Sequence, residues 1–252
     1  MIDFVYVKFL TSTLKIIIWT PLFFSMDSEK NKPPDNATSD RNYKIVEFHD
    51  YFFNKKNKKS ALKNYGEKTA QLHSFFFDYL KGYNIPIAYL KKEGKKNLKL
   101  IETMDLPFRI KIINAADSRT SKIFSLKLGT QLQLPIMEYH YGDSKDSMIS
   151  EGHLISFDLC TYDDLKFINR LCSKLNVILK SFFDRRNTSL VELTCIFGKF
   201  ESKIILIGDF SPASLMVIDN ENSAKLPDPF KIETPAQMKK YTDYLLNLTN
   251  GD

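Results

Sequence analysis

A chain of 252 residues, 43% hydrophobic and 26% charged, has globular composition, which excludes wholesale disorder. Lysine and arginine exceed aspartate and glutamate by 36 − 30 = 6, a mild basic excess that permits anionic ligands but demands none. No stretch approaches the roughly 20 uncharged apolar residues needed to span a bilayer, and only 9 glycines argue against a phosphate loop rich in them.

In chain order, Ile16 to Phe24 reads as a buried strand within an N-terminal region of residues 1–25. Lys8 and Lys15 precede it, but no small-residue cleavage site follows, so a secretory leader is the weaker reading. Residues 26–42, with Pro33-Pro34, read as a polar linker. A smaller α+β part is expected over 43–106 and a larger one over 107–252. In the first, Tyr43 to Phe48 predicts a strand, and the apolar spacing from Asn64 to Lys81 predicts a helix ended by Gly82. Ile85 to Leu90, Leu98 to Thr103 and Phe108 to Ile113 predict strands. In the last of these, Phe108, Ile110 and Ile112 alternate with Arg109 and Lys111. Ser118 to His153 reads as mixed and loop-rich. Asp163 to Phe183 carries one apolar stripe behind a Thr161/Asp164 capping box. Leu190 to Phe197 and Ser202 to Ile207 read as strands joined by a turn at Gly198. Thr234, Pro235 and Gln237 open a final helix. The mixture of helices and antiparallel hairpins predicts the α+β class.

Cys160, Cys172 and Cys195 are odd in number and widely spaced, so neither a disulfide framework nor a zinc site is expected. His49, His73, His140 and His153 also lack metal-ligand spacing. A reducing, cytoplasmic setting is the expectation. Lysines run from Lys55 to Lys63 and from Lys91 to Lys99; without interleaved aromatics they read as solvated loops, and a nucleic-acid partner is not expected. Near the C-terminal third, the apolar run to Ile207 ends in Gly208-Asp209. A carboxylate at such a sheet rim, with Glu192 on the preceding strand, suits Mg²⁺ and nucleotide phosphates. The same residues suit a strand-ending turn, Asp209-Phe210-Ser211-Pro212.

Several blocks resemble the SAICAR synthetase family, the ligases named in full phosphoribosylaminoimidazole-succinocarboxamide synthase. Leu128-Gly129-Thr130-Gln131-Leu132, then Ile136-Met137-Glu138-Tyr139, is similar to the family's "GTQL…IEFYY". Asp146 to His153 resembles "DPMVSEEH", and Ser189 to Gly198 resembles "LVDFKLEFG". Ile207-Gly208-Asp209-Phe210-Ser211-Pro212 resembles "GDEFSPD", and Tyr83 to Pro86 resembles "GIPT". Met104 to Pro107 followed by Asn114-Ala115-Ala116 tracks "DMVP…RNRAAGS". The blocks keep family order from about Lys44 to Asp219.

The resemblance implies two α+β parts with ATP in the cleft between them. It implies that ATP and Mg²⁺ activate the carboxylate of an aminoimidazole ribotide for attack by aspartate. Carried onto this sequence, nucleotide contacts fall on Lys15, Asp105 and Leu106. Substrate contacts fall on Asn114, Ser118, Arg119, Glu151 and Asp219, and the metal on Glu192 and Asp209. Ribotide and aspartate would be the small-molecule partners, and relatives that self-associate suggest a homo-oligomer. The departures fall on the chemistry. The opening Gly-Lys-Ala-Lys loop keeps only Lys15, within Thr13-Leu14-Lys15-Ile16. The arginine of "RN" is Ile113, and the lysine and glutamate of "KLE" are Thr194 and Ile196. The aspartate of "SPD" is Ala213, and a further family arginine is Met216. Losing one preorganised charge contact costs roughly 10²–10³ in rate. Two readings therefore stand: a ligase with a rewired site, in which Arg119 or Lys122 grips phosphate, and a non-catalytic relative that binds a nucleotide or a protein.

Overall fold

The computed structural model describes residues 42–54, 58–142, 147–221 and 226–250. The expected N-terminal strand, the linker up to Arg41 and Lys15 lie outside the described residues. Strands β1 (Tyr43–Glu47), β4 (Tyr89–Glu93) and β5 (Asn97–Ile101) form an antiparallel sheet in the order β1-β5-β4. A short ribbon, β2 (Tyr51–Phe53) with β3 (Lys59–Ala61), precedes helix α1 (Tyr65–Lys81).

The larger sheet follows the order β10-β9-β6-β7-β8. Its members are β6 (Met104–Ala115), β7 (Gln131–His140), β8 (Met148–Ile149), β9 (Thr188–Phe200) and β10 (Lys203–Gly208). Strand β11 (Leu215–Asp219) pairs with the first half of β9, on the edge that β10 occupies farther along. Short helices α2 (Ser118–Phe124) and α3 (Glu151–Ser156) flank β7. Helix α4 (Tyr162–Asp184) covers one face, and α5 (Pro235–Thr249), after a 3₁₀ turn at Pro229–Lys231, packs on α1.

Both long C-terminal helices form where the sequence places them. Thr161 with Asp164, and Thr234 with Gln237, make reciprocal capping boxes, and Pro235 sits in the first turn. The α4 stripe from Leu165 to Phe183 is buried, consistent with its periodicity. One core runs through both sheets, from Val46 and Leu98 through Phe76, Phe77 and Phe182 to Leu193 and Tyr241.

Several local expectations are corrected. Gly198 is not the hairpin turn; it lies inside β9, and the turn is Glu201-Ser202, both at positive φ. A Cβ at Gly198 would lie 2.9 Å from Thr103 and from Ile207, so glycine there permits close approach of neighbours. Ile85 to Leu90 is strand only from Tyr89, with Ile87 forming an isolated bridge to Leu206. The stretch from Ser118 to His153 holds two helices and a ten-residue strand rather than mostly loop. The second lysine run lies on the β4–β5 hairpin, where Lys96 pairs with Asp50 and Lys99 sits over the Tyr43 ring. The three cysteines are free and buried.

Candidate functional site

Side-chain alternation gives the larger sheet two chemically different faces. Phe108, Ile110 and Ile112 of β6, and Leu193, Cys195 and Phe197 of β9, join the α4 core. Asn114 follows the same parity: its amide and that of Asn176 on α4 exchange hydrogen bonds of 2.7 and 2.8 Å. The alternate residues, Arg109 and Lys111 of β6 with Glu192 and Thr194 of β9, face away from α4. Glu138 and His140 of β7 share that open face.

A chain of ion pairs crosses it. Lys111 Nζ lies 3.2 Å from Glu192 Oε1. Lys111 is also the direct cross-strand partner of Glu138. Glu138 accepts from Arg119 Nη1 at 3.1 Å and lies 3.3 Å from His140 Nε2. The hydrogen bond with His140 holds the Glu138 carboxyl below the usual carboxylate range; partial burial opposes this, and Lys111 and Arg119 add to it. Asp117 caps α2 by accepting from Thr120 N at 2.7 Å. Burial opposes its ionisation, but that bond and the nearby Lys111 hold it low as well.

Asp209 sits elsewhere. Between β10 and β11 the chain leaves the sheet, with Asp209 N donating to Thr194 O and Thr194 N to Ser214 O on either side. The Asp209 side chain is only 4% exposed. Its carboxylate accepts from Ser211 N at 2.7 Å, from Ser211 Oγ at 3.1 Å, and from Ser214 Oγ. His73 of α1 completes the shell, with Nε2 3.1 Å from Oδ1 and accepting from Phe210 N at 3.0 Å. His73 Nδ1 lies 2.9 Å from the Thr69 carbonyl, which can only accept, so Nδ1 carries a proton. Phe48, Phe77 and Phe210 surround the imidazole. Burial alone would raise the Asp209 pKa, but the adjacent His73 and the bonds from Ser214 and Ser211 outweigh it and hold the carboxyl below its ordinary value.

The expected site residues therefore scatter. Glu192 and Arg119 share the open face, linked through Lys111 and Glu138. Ser118 opens α2 beside them and is exposed. Asn114 does not reach that face, because its parity turns it to α4. Glu151 opens α3, accepting from the Tyr139 hydroxyl at 2.6 Å and from Asn169 Nδ2 at 2.9 Å. Asp219 ends β11 and accepts from Glu221 N at 2.9 Å. Asp105 and Leu106 lie at the crossing between the two sheets. Asp105 is ion-paired to Lys44 at 3.0 Å, and Leu106 is buried.

Reasoning from the sequence passed over Lys111, Glu138, His140 and His73 as site members. The signal for Lys111 was present, since it is a polar residue of an alternating strand. His73 carried none, being one histidine in a helical stripe.

The profile of the SAICAR synthetase family matches residues 37–231. The chain belongs to that family. A phosphoribosylaminoimidazole-succinocarboxamide synthase of Clostridium kluyveri is 27% identical over 198 residues, covering 77% of this chain and 84% of that one. The crystal structure of the Ehrlichia chaffeensis enzyme superposes with a TM-score of 0.76 at 24% identity, covering 86% of this chain and 94% of that one. SAICAR synthetase of Pyrococcus horikoshii gives 0.74 at 23%, covering 85% and 96%. These likenesses establish the mixed α+β fold of the SAICAR synthetases. Family members use ATP and Mg²⁺ to join aspartate to the ribotide carboxylate.

The residues present in this SAICAR synthetase homologue do not fit the metal. Glu192 is ion-paired to Lys111, Asp209 is buried with its donors inside the protein, and Ile196 brings hydrocarbon where the family has glutamate. Among the described residues, no three His, Cys, Asp or Glu side chains are grouped to hold a cation. The segment Gly208-Asp209-Phe210-Ser211-Pro212-Ala213 is one residue shorter than "GDEFSPD". Counted back from Ser211-Pro212, Asp209 falls on the glutamate of that motif and Gly208 on its aspartate. Among the described residues no helix is long and apolar enough to cross a membrane.

Proposed function

We propose that this chain is a non-catalytic member of the SAICAR synthetase family whose open sheet face binds a phosphorylated ribotide or nucleotide. One observation carries the reading. The packing positions are filled, whereas the positions that would handle phosphate and metal hold Ile113, Thr194, Ile196, Ala213 and Met216. Amide formation through an activated carboxylate depends on fixed charges where phosphate charge develops. None of these side chains carries a charge.

Two cations of the face are engaged in ion pairs, Lys111 with Glu192 and Arg119 with Glu138. Such pairs keep a shaped, polar surface without forming a strong anion trap. Arg119 is half exposed and its guanidinium is the group best placed to meet a ligand phosphate. The resemblance assigns nucleotide contacts to Asp105 and Leu106, which lie at the crossing of the two sheets.

Differential scanning fluorimetry with carboxyaminoimidazole ribotide and with ADP tests the binding half of the reading. A ligand-dependent rise in Tm that Arg119→Ala diminishes is expected. Ribotide and ADP both leaving Tm unchanged would remove the binding role, and succinocarboxamide product from this chain would remove the non-catalytic one.

A further inference from the structure

The open face holds carboxylates that would repel one another if nothing stood between them. Glu192 on β9 and Glu138 on β7 flank β6 from opposite sides, and Lys111 on β6 stands between them. It lies in register with Thr194 on one side and with Glu138 on the other. Its ammonium is 3.2 Å from Glu192 Oε1. The Glu192 side chain is 6% exposed, so bulk water does little to neutralise it. Thr194 occupies the place of the lysine in the family's "LVDFKLEFG" segment. The positive charge missing from β9 is thus supplied by the residue directly opposite on β6.

We propose that Lys111 acts as a tethered cation in place of a divalent metal, so that this face keeps its carboxylates neutralised and takes ligands independently of Mg²⁺. A carboxylate whose charge is already offset by an ammonium attracts a second cation less strongly. An ion entering the site must displace a covalently attached cation whose local concentration cannot be diluted. Arg119 completes the neutralisation on the β7 side, where His140 also lies within hydrogen-bond reach of Glu138. The proposal deepens the binding reading above, but its readout is metal uptake. Its failure is therefore distinguishable from failure of that reading.

The test is titration of the full chain with Mn²⁺, an oxygen-seeking probe for the Mg²⁺ class, with free ion followed by electron paramagnetic resonance. The wild-type protein is expected to show no saturable site below millimolar Mn²⁺. Lys111→Met, which keeps the stem and removes the charge, is expected to bind Mn²⁺ at least about tenfold more tightly than wild type. Adding Glu192→Gln to that variant should abolish the gain. A saturable wild-type site that Glu192→Gln removes would overturn the proposal, as would a folded Lys111→Met that takes up no Mn²⁺. Should Lys111→Met fail to fold, the wild-type chain decides. Its Tm must be the same in EDTA and in MgCl₂ at matched ionic strength. A rise with Mg²⁺ that Glu192→Gln abolishes counts against the tethered cation.

Discussion

Asp209 stays ionised among phenylalanine rings because donors from Ser211 and Ser214 surround it, with His73 alongside. Leaving buried donors without their acceptor costs about 1–3 kcal/mol. Asp209→Asn should therefore lower the urea midpoint at unchanged m-value, while leaving any heat of MgATP binding as in wild type. A variant of normal stability with weakened MgATP binding would return Asp209 to a metal role. A second buried pair, Asn114 with Asn176, makes a sharper point about side-chain parity. Asn114→Leu alone strands the Asn176 amide and should cost about 1–3 kcal/mol. Asn114→Leu with Asn176→Leu should recover much of that loss in a double-mutant cycle. Neither residue type announced this role in the sequence. An asparagine beside a family motif reads as a ligand contact until strand parity is known.

At the scale of elements, the helices were the legible part. The α4 stripe and the two capping boxes needed only local periodicity and local side-chain chemistry, and both stand in the structure. Strand β7 was hidden because Leu134 and Ile136 of its alternating pattern stay exposed, so burial gives no reward that marks it. Gly198 misled for a related reason. Glycine signals a turn locally, whereas here it is needed for contact with Thr103 and Ile207, which are distant or follow the true turn. Gly198→Ala should push on both neighbours and destabilise by about 1–3 kcal/mol, read as a drop in Tm. An unchanged Tm would show that Thr103 and Ile207 yield without cost. The open face was legible in part: Glu192 and Arg119 are there, but their partners are set by register across three strands.

Across the whole molecule, charge is used to hold the structure together. Burial opposes ionisation at Asp50, Asp117, Asp164 and Asp209, yet hydrogen bonds and ion pairs keep each below its ordinary value. At Glu138 the bond with His140 leads. Folded pKa values below the unfolded ones mean that the unfolded chain binds protons first as pH falls. The stabilisation they provide is full above about pH 5 and is lost as pH drops through the folded values below about 4. Urea midpoints measured from pH 7 to pH 3 should be level at first and then fall steeply. A midpoint that rises on acidification would contradict the pairing described.

The same economy of charge underlies the functional account, in which a ligase fold keeps its core and loses the groups that handle phosphate and metal. The most direct measurement is a mass-spectrometric assay for the succinocarboxamide product. It uses the full chain, carboxyaminoimidazole ribotide, aspartate and MgATP, beside a relative that keeps the family motifs. The account predicts product from the relative and none from this chain while circular dichroism shows it folded. Product that depends on this chain would contradict it, and would mean that Lys111, Arg119 and their neighbours have taken over the lost chemistry.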